Sequence, residues 1–102
     1  MNIGKILKKL RKYKGVTQEN IATFLNLERT AYAKLEKDKT MLRLDTARLI
    51  AIFYGFELHY LILCLEYEHY VNSSTTQRLI KAQKDKEMLF DNRSSNQMNY
   101  SA

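Results

Sequence analysis

Apolar residues along this chain recur at helical rather than strand spacing. Ile3, Ile6, Leu7 and Leu10, continued by Tyr13, make one stripe, with Lys5, Lys8, Lys9 and Lys12 on the opposite face. That spacing predicts an amphipathic first helix, and Gly15 stops it. Thr17 is placed to cap a second helix whose inward face is Ile21, Ala22, Phe24 and Leu25. Asn26 then falls where a helix-ending residue adopts a left-handed backbone, which Asn tolerates better than most residues. Leu27 anchors a tight turn, and residues 28–37 form a third helix with Ala31, Tyr32 and Leu35 facing in. After a polar connector at 38–43, a fourth helix over 44–54 carries Leu44, Ala47, Ile50, Ala51 and Tyr54 on one side. Asp45 in its first turn suits the helix dipole, and Gly55 supplies its stop.

The pattern changes after Gly55. Residues 58–71 read as one helix that is apolar on two faces, Leu58, Leu61, Ile62 and Leu65 on one and Tyr60, Leu63, Cys64, Tyr67, Tyr70 and Val71 on the other. Such a helix needs two partners: the core, and either a second subunit or the C-terminal segment. Asn72, Ser73, Ser74, Thr75 and Thr76 make a polar break, and residues 77–90 carry a weak amphipathic pattern built on Leu79, Ile80, Ala82, Leu89 and Phe90. Residues 92–102 lack a hydrophobic pattern and are expected to be loose.

Composition narrows this to an all-α fold, since the 102 residues include no proline, three glycines and few β-branched runs. The expected division is a domain over 1–71 and a C-terminal helix and tail over 72–102. The polar, charged start does not read as a signal peptide, and the apolar stretch 49–65 is short and broken by Gly55, Glu57 and His59. A cytoplasmic chain without a membrane span is the expectation, and the single Cys64 gives no disulfide framework. Charge is placed unevenly. Residues 1–48 hold 12 basic and 5 acidic residues, net +7, whereas 49–72 carry net −3 and 73–102 net +2. The positive excess falls in the half of the chain that contains the second and third helices, as phosphate binding requires.

Those two helices and their turn have the spacing of a helix-turn-helix, whose second helix enters the major groove of DNA. From Ile3 to about Leu65, Leu10-Arg11, Thr17-Gln18-Glu19, Ile21-Ala22, Leu25-Asn26-Leu27, Thr30, Tyr32, Lys34-Leu35-Glu36, Leu44-Asp45-Thr46 and Ile50-Ala51 run without a gap. This string resembles the phage-repressor-like helix-turn-helix family of the Cro/repressor or xenobiotic-response-element type. The resemblance implies a five-helix domain, here with an additional C-terminal helix, that regulates transcription as a homodimer on palindromic operators. It also implies an ion pair between Arg11 and Glu36 that ties the first helix to the end of the recognition helix, and a backbone-contacting Gln18. Arg29, Thr30, Ala33 and Lys34 match positions facing base edges. Arg29 can donate bidentately to a guanine and Lys34 through a single ammonium. Lys37, Lys39, Thr40 and Arg43 are expected to grip phosphates.

Four residues depart from the family pattern: Glu28 at the recognition-helix start, able to accept from a cytosine amino group, Asp38 where glycine is usual, Leu42 in place of a common proline, and Arg43 in place of a capping serine. His59 and His69 lack a third ligand at suitable spacing, so no metal site, cofactor or enzymatic centre is expected. The dimer is expected through residues 58–71 with help from 73–90. The alternative reading is an antitoxin-type protein whose segment 73–102 orders around a protein partner.

Overall fold

The structure, a computed structural model, describes residues 2–100, with side chains through Leu89. The described residues form seven helices: α1 (Ile3–Lys14), α2 (Gln18–Phe24), α3 (Arg29–Glu36), α4 (Leu44–Tyr54), α5 (Leu58–Glu66), α6 (Glu68–Val71) and α7 (Ser74–Tyr100). The described residues contain no strand. The local signals act where the sequence puts them. Thr17 Oγ1 accepts from the Asn20 amide at 3.1 Å while the Asn20 side chain accepts from the Thr17 amide, a reciprocal cap on α2. Gly15 and Gly55 end α1 and α4 in left-handed conformations, and Asn26 takes φ +58 in the turn.

Leu7, Leu10, Ile21, Tyr32, Ile50, Tyr54 and Leu61 are fully buried and make one core. Three expected core positions lie outside it: Phe24, Leu44 and Tyr13 are 45%, 68% and 41% exposed. Phe24 still packs its ring on Phe53, 5.1 Å between centroids. Tyr13 turns outward and donates its hydroxyl to Asn72 at 2.9 Å.

The region after Gly55 differs from the sequence reading. The expected single helix over 58–71 breaks at Tyr67, whose backbone is extended (φ −125, ψ 102). The break sends α6 beneath α1, where Glu68 meets Lys9 at 2.6 Å and Lys5 at 3.2 Å. The second apolar face of α5 is covered by the protein's own α6 and α7. Cys64 and Val71 are fully buried, Ile80 lies against the same core, and the Tyr60 hydroxyl bonds the buried Thr76 hydroxyl at 2.7 Å. Thr76 in turn donates to the Tyr70 carbonyl. Where the sequence pattern gives no helix after residue 91, α7 continues to Tyr100; residues 101 and 102 lie outside the described residues.

α1 is therefore held on two flanks, by α3 on one and by α5, α6 and α7 on the other. Lys14, in register with Leu7 and Leu10, is only 2% exposed. Its ammonium donates to the Phe53 carbonyl at 2.6 Å and to Glu87 of α7 at 2.9 Å, and lies 3.7 Å above the Phe53 ring. A buried ammonium persists only with such partners.

Candidate nucleic-acid interface

α2, the turn and α3 form a compact corner with one face free of packing. Tyr32 and Leu35 turn α3 inward, and Ala31 is half-buried. Thr30, Ala33, Lys34 and Lys37, spaced three and four apart, make the outward ridge of that helix. Arg29 opens α3, and the exposed Glu28 precedes it as cap residue without a side-chain capping bond.

One flank of this ridge is polar. Arg11 Nε donates to Glu36 Oε2 at 2.7 Å and Arg11 Nη2 to Glu36 Oε1 at 3.2 Å, a two-pronged pair with side-chain exposures of 15% and 3%. Gln18 Nε2 donates to the same carboxylate at 3.0 Å, and Gln18 Oε1 accepts from Arg29 Nη1 at 3.5 Å. The expected phosphate-facing amide of Gln18 is thus already oriented by Glu36 and stands beside Arg29. Burial works against the Glu36 carboxylate, but hydrogen bonds from Arg11 and Gln18 outweigh it, and the carboxyl stays below its ordinary value. Lys8, Thr17 and Lys37 complete a cleft of 520 Å³ around this network. The sequence places Lys8 among four lysines on the outer face of the first helix. Its membership in this cleft follows from α1 crossing α3, which spacing alone does not reveal.

The other flank is apolar. Leu27, Ala31, Leu35 and Met41 line a depression of 260 Å³, rimmed by Lys34, Thr40 and Arg43. The connector that supplies Met41 begins at Asp38, which takes φ +57 and uses its carboxylate to accept from the Gly4 amide at 2.9 Å. Asp at the usual glycine position therefore has a physical reason: it bends the chain and caps α1 with one side chain. Lys39 and Thr40 are exposed beside the ridge. Arg43 is exposed too, paired with Asp45 at 3.3 Å on the open surface, where such a pair contributes little.

Residues 7–61 match the helix-turn-helix family model HTH_3. The chain belongs to this family of Cro/C1-type DNA-binding transcriptional regulators. Comparison with curated proteins and with solved structures found no match. No single described helix is long and apolar enough to cross a membrane, and the most apolar pair, α4 and α5, is bent by 100°. Among the described residues no group of His, Cys, Asp and Glu is arranged to hold a metal ion.

Proposed function

We propose that this protein is a sequence-specific regulator, a repressor, that binds a palindromic operator as a homodimer. The observation that carries the reading is the α3 ridge with its preorganised Gln18–Arg29 corner. Arg29, Thr30, Ala33 and Lys34 face the base edges, with Glu28 at their border, and Gln18, Lys37, Lys39, Thr40 and Arg43 hold phosphates. Selection of binding sites from random duplex DNA at near-physiological salt should enrich a two-fold symmetric site. Arg29→Ala or Lys34→Ala should then cost roughly 1–3 kcal/mol and relax base preference at the positions read. A variant that binds every sequence as the parent does would overturn the assignment.

The dimer interface proposed here lies on α4 and the start of α5, because α7 occupies the face first considered for it. Leu44, Leu49, Ile52 and Ile62 are 68%, 40%, 49% and 44% exposed, and a groove of 920 Å³ runs among the first three toward Leu58. Asp45 and Arg48 stand on the same surface, so a two-fold axis can set the acid of one copy against the base of the other. The surface adjoins the connector after α3, which keeps both recognition helices on one side of the dimer. Ile52→Glu should give a monomer by sedimentation at micromolar concentration and lower operator affinity by roughly 100-fold or more. Thr76, Leu79, Ile80 and Glu87 of α7 are spent on the protein's own fold, which favours this reading over capture of a protein partner by residues 73–102.

A further inference from the structure

We propose that the apolar depression beside the recognition helix, closed by Met41, receives the 5-methyl group of an operator thymine. This makes Met41 a specificity-determining residue off the recognition helix, and it rests on the regulator reading above. Met41 is 92% exposed, more than any other exposed large hydrophobic side chain among the described residues. With Leu27, Ala31 and Leu35 it lines the depression, whose rim includes Lys34. The two flanks of α3 thus differ in chemistry: cations, carboxylates and an amide on the Gln18 side, mainly aliphatic groups on the Met41 side.

A helix lying in the major groove presents both flanks to groove walls, and thymine alone among the bases projects a methyl group there. The 260 Å³ depression has room for a methyl group and the base edge that carries it. The cationic rim of Lys34 and Arg43 argues for nucleic acid over a second copy of the chain, because lysine is depleted in protein–protein interfaces. The α4 surface, by contrast, offers a self-complementary acid and base, Asp45 and Arg48. Arg43 borders both surfaces and separates them.

The test is a cycle between protein and base on the operator recovered by selection. Each thymine is replaced in turn by deoxyuridine, which deletes only the methyl group, and affinity is measured for the parent, Met41→Ser and Met41→Leu. One symmetry-related thymine pair should lose about fourfold per half-site with the parent and with Met41→Leu, as expected for one buried methyl group. Met41→Ser should bind the thymine and uracil sites equally. Being exposed, the position allows both variants to fold. An equal thymine-to-uracil loss in parent and Met41→Ser, or no sensitive thymine at all, would sink the proposal while leaving the regulator reading intact. A Met41→Ser protein that becomes monomeric would also sink it and assign the residue to the dimer. If selection recovers no motif, the regulator reading fails and this inference falls with it.

Discussion

Replacing Glu36 by alanine is expected to lower the unfolding free energy by about 3–5 kcal/mol, a large share of the roughly 5–15 kcal/mol typical of such domains. The size follows from what remains. Arg11, 15% exposed, loses both hydrogen bonds of its pair, and Gln18 Nε2 loses its acceptor. An uncompensated charge near the core costs more than the pair itself contributes. Urea unfolding followed by circular dichroism checks the value, and a loss under about 1 kcal/mol would mean that Arg11 finds water instead. The pair also sets an acid limit. Because the folded state holds the Glu36 carboxyl below its ordinary value of 4.5, its contribution is complete above that value and disappears as pH falls through the folded one. Stability measured downward from about pH 5 should therefore fall more steeply in the parent than in Glu36→Gln.

The second large effect is expected from Gly4→Ala, which reverses a general rule. Alanine normally stabilises a helix over glycine by roughly 0.5–1 kcal/mol. Here a Cβ would overlap the Glu36 carbonyl oxygen and stand 2.6 Å from its carbonyl carbon and 2.9 Å from Leu35 O. The obstacles are backbone atoms at the end of α3, so no side-chain rotation relieves them. Either α1 lifts, breaking the Gly4–Asp38 cap, or the end of the recognition helix moves. The expected cost is about 3 kcal/mol or more, at the upper end for overpacking. A displaced α3 should in addition weaken operator binding beyond what the lost fraction of folded protein explains. Thermal unfolding together with affinity measured well below the midpoint separates the two. A variant as stable as the parent would show that the helices are not in this close contact.

Local signals in the sequence were read well. Thr17, Asn26, Gly15 and Gly55 are short-range devices whose geometry depends on few neighbours, and each acts where its spacing implied; the answering bond to Asn20 was not anticipated. Lys14 was legible in part: it falls in the Leu7–Leu10 register, a lysine at a core position, but its partner Glu87 is 73 residues away. The break at Tyr67 has no glycine or proline to announce it. It arises because α6 must turn under α1, where Glu68 meets two lysines, so tertiary contacts override a continuous helical pattern. The exposed Leu44 shows the reverse limit: an apolar position at the edge of a stripe faces the core or a partner, and periodicity does not distinguish them. Of the candidate interface, residue types along α3 were readable from spacing. Its two unlike flanks were not, since each is built with residues from other helices.

The distance in sequence between Lys14 and Glu87 has a consequence for the order in which the chain can assemble. Domains fold as units during synthesis, N-terminal parts first, yet α1 lacks the counter-charge for its buried amine until α7 has been made. Until then the partners of Lys14 are the carbonyl and ring of Phe53 alone. The last counter-charge of the helix that packs against the recognition helix thus arrives 73 residues after the lysine it neutralises.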